Sequence, residues 1–244
     1  MDGMAQTPRA PGPSLRTVLL DIDGTLIDSN DAHARAWVDA LRAHGYVIPF
    51  EEVRPLIGMG GDKLVPALTG LDPESGEAQR LSETRSKLFL ERELPTLRAT
   101  RGARALLEYL TSLGLELVVA TSAKSSEVRA LLEQAGVADL IPLASSADDA
   151  DRSKPDPDIV QAALRLSGSQ AGQSALIGDT PYDVEAAARA NVPSVALRCG
   201  GWWDDEALGA ATAIYDDPAE LLERFEESPV GVGQRGSGAA GQRT

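Results

Sequence analysis

Asp21 and Asp23 stand two residues apart after the apolar run Val18-Leu19-Leu20, and Gly24-Thr25 follows them. In an extended chain residues i and i+2 point to the same side, so the two carboxylates converge. Like charges that close repel unless a cation or a shared proton relieves them. Mg²⁺ does so with a few carboxylate oxygens, water and substrate phosphate, and the pair therefore points to metal-assisted chemistry on a phosphate. The same Asp-x-Asp-Gly pattern also describes a calcium loop or an ordinary turn, and both stay open on these residues alone.

Further polar groups follow other apolar runs. Thr121 and Ser122 come after Leu117-Val118-Val119-Ala120 and offer hydroxyls and backbone N–H groups to phosphate oxygens; alternatively one of them caps the next helix. Lys154 sits in Ser153-Lys154-Pro155-Asp156-Pro157, either held by the stiff prolines or a solvated surface charge. Asp179 and Asp183, four residues apart, follow Ile177-Gly178, and Asp183 also suits the N-terminus of a helix. Cys199, the single cysteine, has no His or Cys nearby and reads as inert. Of Trp202 and Trp203, packing against the core is the simpler reading.

The elements that must position these groups alternate. Short apolar runs at Thr17–Asp21, Leu115–Thr121, Leu140–Leu143, Ser174–Gly178, Ser194–Leu197 and Ala213–Tyr215 predict strands covered on both faces. Helical patterns at Arg101–Ser112, Ser125–Gln134, Pro157–Leu166, Tyr182–Ala190 and Pro218–Phe225 separate them, with Gly114 and Gly136 placed as C-caps. The alternation predicts an α/β fold, a doubly wound parallel sheet with its site at the strands' carboxyl ends.

From about Ser29 to Pro95 the strand pattern stops. A helix capped by Ser29 or Asn30 is expected to run to Ala43, with Ala32, Ala36, Trp37, Ala40 and Leu41 on one side and Gly45 after its end. A turn at Gly58-Met59-Gly60-Gly61 leads to a helix over Asp62–Leu68, and a long helix is expected over Gly76–Glu93. This α-helical insertion is too long for a plain loop and is rooted where a lid belongs. The expected division is a core of residues 15–28 and 96–227, a helical cap of 29–95, and tails at 1–14 and 228–244.

Those motifs, in that order, resemble the haloacid dehalogenase superfamily, in the branch with a helical cap after the first strand. Asp21-Ile22-Asp23-Gly24-Thr25 matches the first motif, Thr121 with Ser122 the second, Lys154 the third and Gly178-Asp179-Thr180-Pro181-Tyr182-Asp183 the fourth. The presence of Asp23 matches the phosphate-transferring members. The resemblance implies that Asp21 is a nucleophile forming an aspartyl-phosphate and that Asp23 is the general acid/base. It implies Mg²⁺ at Asp21, Asp179, Asp183 and the backbone carbonyl of Asp23, and phosphate contacts from Gly24, Thr121, Ser122 and Lys154. The cap start, Asp28 to Trp37, is similar to phosphoglycolate phosphatase-like and β-phosphoglucomutase-like members. It implies that His33 either couples cap closure to Asp23 or packs on its helix, and that Lys63 meets a substrate anion. Gly60 and Gly61 stand where the mutase-like loop carries arginine.

The expected function is a Mg²⁺-dependent phosphatase for a small organic phosphate monoester. A sugar-phosphate mutase, a receiver-type phosphoacceptor and a non-catalytic binding protein are the alternatives. A net charge of −14 over 244 residues disfavours nucleic acid and anionic membranes as partners. The lone cysteine and the lack of a long apolar run or a signal-peptide core fit a cytoplasmic protein, monomeric or weakly dimeric.

Overall fold

Thr17–Leu20 is buried throughout and forms β1. After it come four helices, α1 (Asn30–Ala43), α2 (Phe50–Val53), α3 (Gly61–Thr69) and α4 (Gly76–Leu88), before the alternation begins. It runs α5 (Ala103–Ser112), β2 (Glu116–Ala120), α6 (Ser125–Gln134), β3 (Leu143–Ser145), α7 (Asp158–Ser167) and β4 (Ser174–Gly178). The chain continues through α8 (Pro181–Arg189), β5 (Ser194–Leu197), β6 (Ala213–Tyr215), α9 (Pro218–Glu223) and α10 (Pro229–Val232). This computed structural model describes residues 15–232; the expected tail at 1–14, and residues 233–244 of the one expected at 228–244, lie outside that range.

All six strands are parallel, in the order β3-β2-β1-β4-β5-β6. Period-two alternation splits the interior in two. Val18, Leu20, Leu117, Val119, Ala175 and Ile177 face one apolar cluster; Leu19, Val118, Ala120 and Leu176 face the other. Residues of α5, α6 and α9 cover the first side and residues of α7 and α8 the second. The doubly wound sheet expected from the sequence is the one observed.

Helices α1, α3 and α4 carry their own apolar cluster, in which Trp37 and Leu41 meet Leu64, Val65 and Leu81. The helix expected over Gly76–Glu93 changes hydrogen bonding at Phe89, where a π turn continues to Glu93. The strand expected at Leu140–Leu143 lies later in the chain, because Pro142 has no N–H for the ladder and the pairing is Val118 with Leu143 through Ala120 with Ser145. The expected C-terminal tail also starts too early: Ser228 and Val230 are fully buried, and Ser228 Oγ bonds the Phe225 carbonyl. Among the described residues no helix is long and apolar enough to cross a membrane.

Candidate active site

The strand order reverses between β1 and β4, and these neighbours deliver the acids. Leu20 pairs with Ile177, and the Asp21 N–H donates to the Ile177 carbonyl at 2.9 Å. Asp21 and Asp179 therefore emerge side by side in the crevice beyond the strand ends. Carboxylate oxygens of Asp21, Asp179 and Asp183 lie within 4.8 Å of one another, all buried. Lys154, itself buried, donates to Asp21 Oδ1 and Asp183 Oδ1, each at 2.6 Å. The other Asp183 oxygen accepts from the Thr180 N–H and hydroxyl as part of a capping box on α8. Asp183 thus serves its helix with one oxygen and the acid cluster with the other.

Asp179 is oriented by Thr25 Oγ1 (3.1 Å) and Asn30 Nδ2 (2.7 Å). Ser29 Oγ donates to Asp23 at 2.5 Å. Neither Ser29 nor Asn30 makes a side-chain capping bond on α1, contrary to expectation; the acids take both side chains instead. Gly24, at φ 77°, is needed here for space as well as conformation. A Cβ there would fall 2.2 Å from Asn30 Nδ2 and Asp179 Oδ2, and one on Gly200 would fall 1.9 Å from Asp179 Oδ2. The gap beside Gly24 is filled by the Asn30 amide and the Asp179 carboxylate.

Burial, followed by the repulsion of Asp183 and Asp23, pushes the Asp21 carboxyl up to about 8 despite Lys154. Burial and the charges of Asp183 and Asp21 push Asp179 well above the ordinary carboxylate range as well. Lys154 goes the opposite way from what its burial alone would do, because Asp183 and Asp21 raise it. Three buried carboxylates against one ammonium leave an excess of negative charge. Their hard oxygen donors fit a divalent cation such as Mg²⁺.

Asp23 has a different environment. Its side chain lies outside the three-carboxylate cluster and meets His33 Nε2 at 2.8 Å. Although burial acts to raise it, His33, Ser29 and Arg85 hold its carboxyl below the ordinary value. Arg85 NH1 approaches His33 Nδ1 at 3.4 Å. A guanidinium only donates, so Nδ1 accepts and the Nε2–H is directed at Asp23. The ring stacks on Phe89, placed by the π turn, with centroids 3.8 Å apart. His33 thus both touches Asp23 and packs on Phe89.

Over these groups lies a cavity of about 50 Å³, room for roughly four waters. Asp21, Asp23, His33, Trp37, Arg85 and Thr121 are among its lining residues. Thr121 Oγ1 accepts from the Ala123 N–H at 3.1 Å, a turn ahead of α6 and not a cap on it, since the N-cap residue is Lys124; the hydroxyl keeps its own proton to donate. Ser122 Oγ is buried without a partner. Lys63 is not in this lining; it is tied to Asp156 at 2.5 Å, on the seam between the helical insertion and the sheet, because the Gly60–Gly61 turn sets α3 over the Lys154 loop.

The same seam is closed by Arg54, which donates to Asp31 and to the Gly200 carbonyl beneath the Trp202 ring, and by Tyr182, which donates to the Pro55 carbonyl. Trp203 packs inward with Val184, Ala196 and Leu208, whereas Trp202 is 41 % exposed. Cys199 donates to the Gly24 carbonyl, and burial pushes its thiol up, as expected of an inert cysteine. Sequence reasoning missed Asn30, Arg85 and Glu127. Asn30, His33 and Trp37 recur at helical spacing, a signal that could have found the first.

Residues 18–197 match the haloacid dehalogenase-like hydrolases, and the chain belongs to that family. A phosphoglycolate phosphatase of Rhodospirillum rubrum is 34% identical over 215 residues, covering 84% of this chain and 89% of its own. A crystal structure of a hydrolase from Pseudomonas syringae superposes with a TM-score of 0.80 at 31% identity, covering 87% of this chain and 98% of that one. A putative β-phosphoglucomutase from Bacteroides vulgatus has a TM-score of 0.79, covering 92% and 90%; at 22% identity it shows the shared fold.

Proposed function

We propose that this protein is a Mg²⁺-dependent phosphatase that hydrolyses a small organic phosphate monoester through a phosphorylated Asp21. The observation that carries it is Lys154 held between Asp21 and Asp183, with Asp179 beside them and the Asp23–His33 pair across the same small cavity. The phosphatase relative from Rhodospirillum rubrum supports the reaction class.

Asp21 attacks phosphorus while the bond to the leaving oxygen breaks, and the ester becomes an acyl phosphate. In this reading Thr121 and Ser122, which line the cavity, and Lys154, bonded to Asp21 at its floor, hold the non-bridging oxygens. Bound at Asp21, Asp179 and Asp183, with the Asp23 carbonyl, Mg²⁺ supplies the charge that keeps the carboxylates ionised and offsets that of the phosphate. Asp23 stands free as carboxylate, the form that removes a proton from water. An arriving dianionic phosphate favours its protonated form, which delivers a proton to the departing alkoxide. Asp23, a carboxylate again after that transfer, takes a proton from a water that attacks phosphorus as the bond to Asp21 breaks, which releases phosphate and restores the Asp21 carboxylate. His33 holds Asp23 in place through both half-reactions.

Gly60 and Gly61 line the cavity where mutase-like members carry an arginine, which supports transfer to water over return to a second sugar phosphate. The insertion closing over the cavity gives no support to a receiver or a non-catalytic binding protein. Phosphate release from a panel of monoesters, with and without Mg²⁺ and with Asp21→Asn beside the wild type, tests the proposal. Release requiring both Mg²⁺ and Asp21 is expected, and its absence from folded protein on every ester would overturn the reading.

A further inference from the structure

Glu127 is fully buried on α6, one turn into the helix that follows β2, yet it faces the insertion rather than the sheet. Its Oε2 accepts from Arg85 NH1 at 2.9 Å, and its Oε1 accepts from Ser86 Oγ. Both partners belong to α4. Among the described residues Arg85 is the only lysine or arginine lining the inner cavity, and Glu127 lines it too. The one cation contributed there by the insertion is therefore neutralised in place. What remains around the phosphate's neighbour is Asp23 on one side and an ion pair on the other.

The inner cavity is too small for a phosphoryl group with a bulky substituent. It adjoins a cleft of about 600 Å³, the two sharing Trp37, Gly61, Arg85 and Ser122. Other cations of the cleft also have acids beside them: Lys63 and Arg152 both approach Asp156, and Lys124 lies near Asp148, whose carboxyl is lowered first by Ser125 and last by Lys124. Arg85 Nε and Ser122 Oγ, at the junction, are buried without hydrogen-bond partners. A junction of spare hydrogen-bond donors with its positive charge cancelled suits hydroxyl oxygens. A second anion would instead meet Asp23 and Glu127 with no net positive charge opposite.

We propose that Glu127 is a specificity-determining residue that, by neutralising Arg85, selects phosphate monoesters with an uncharged, hydroxylated leaving group over those carrying a second anion. The inference rests on the phosphatase reading above and goes further by naming the substrate class. Phosphoglycolate and 2-hydroxyethyl phosphate make the sharpest pair, because they differ only by a carboxylate against a hydroxymethyl group. A hexose 6-phosphate tests the reach into the cleft, and p-nitrophenyl phosphate reports the chemistry independently.

With Mg²⁺ and the full chain, kcat/KM is expected to favour 2-hydroxyethyl phosphate and the hexose phosphate over phosphoglycolate by at least about tenfold. Glu127→Gln, which keeps the shape and the Ser86 bond, is expected to shift the ratio toward phosphoglycolate by about tenfold or more. Arg85→Gln, leaving Glu127 unopposed, shifts it further against phosphoglycolate. A wild-type preference for phosphoglycolate, or a ratio unmoved in folded Glu127→Gln, overturns the inference while hydrolysis of p-nitrophenyl phosphate keeps the phosphatase reading. If Glu127→Gln does not fold, the wild-type ratio and Arg85→Gln decide. Failure on all four esters overturns the phosphatase reading and this inference with it.

Discussion

At the strand ends Lys154 holds two carboxylates at 2.6 Å with 1% of its side chain exposed. At the seam between insertion and sheet Lys63 holds Asp156 at 2.5 Å with 25% exposed. Distances alone would rank the two lysines together; depth separates them. In the low-dielectric interior a lost partner leaves an uncompensated charge, whereas at a wet seam water and salt replace it. The chemistry is accordingly built on groups that cannot let go of one another, whereas Lys63 ties the insertion by a pair that can, beside the buried ties of Arg85 to Glu127 and Arg54 to Gly200.

Lys154→Met should break this contrast most visibly. It strands Asp21 and Asp183 in a buried site, with an expected cost of about 3–5 kcal/mol in chelator-treated protein. Urea unfolding measures it. Turnover should fall on the order of 10³-fold even where Mg²⁺ restores the fold, since the phosphate loses its lysine. A variant as stable as wild type without metal would mean that Lys154 is not the neutralising partner of the cluster.

Removing the metal sharpens the same point through pH. The Asp21 carboxyl is raised from about 3.8 to about 8 in the folded, metal-free chain, and Asp179 is raised as well. A raised folded value means that the stabilising contribution is full below about pH 4 and is lost as pH climbs through 8. Asp23 and Lys154 do not reverse this window: Asp23 is lowered, so its contribution is lost only in acid, and Lys154 is raised, so its contribution is lost only in alkali. The chelated protein should therefore melt at progressively lower temperature from pH 5 to 8, and added Mg²⁺ should flatten or reverse that slope. A melting temperature rising with pH in chelator would refute the proposed burial of these acids.

The same contrast decides what could be read from residues alone. Asp21, Thr121 and Asp179 each follow an apolar run that dictates where the side chain goes, and the period-two pattern of β1, β2 and β4 carried them to one edge, while Lys154 is marked by the stiff prolines that follow it. The insertion offers no such ruler. His33 could be placed on a helix, but only the packing of α1 on α4 shows that Arg85 lies behind it and Phe89 beneath it. Lys63 sits one turn past a glycine-rich corner, where a small change in backbone direction separates a cavity from a seam. Glu127 carried the reverse signal: an acid in the first turn of a helix normally reads as a dipole partner in solvent, and nothing local reveals that α4 buries it.

His33→Gln tests the upper side of the site. The amide keeps a donor for Asp23 but loses the ring that stacks on Phe89 and the nitrogen that accepts from Arg85. A fall of about 10²-fold in kcat is expected if His33 steadies the general acid/base, with most of the loss in kcat and little in KM. Equal loss for an activated ester such as p-nitrophenyl phosphate, whose leaving group needs little protonation, would locate the effect in water activation. A smaller loss for that ester would locate it in leaving-group protonation. Unchanged kcat on all esters would reduce the Asp23 contact to packing.

Lys63→Met is the mildest break, and it asks whether the seam matters to turnover at all. The pair with Asp156 is partly exposed, so its removal should cost about 1 kcal/mol or less. Asp156 also keeps Arg189 at 3.2 Å, which limits the loss further. The effect should therefore appear in how the insertion closes: a KM raised about two- to fivefold, kcat nearly unchanged, and a wild-type sensitivity to salt that the variant lacks. Loss of kcat by more than tenfold would instead put Lys63 in contact with the substrate, as the sequence alone suggested. Depth of burial would then have misled, and the seam would have to be counted as part of the site.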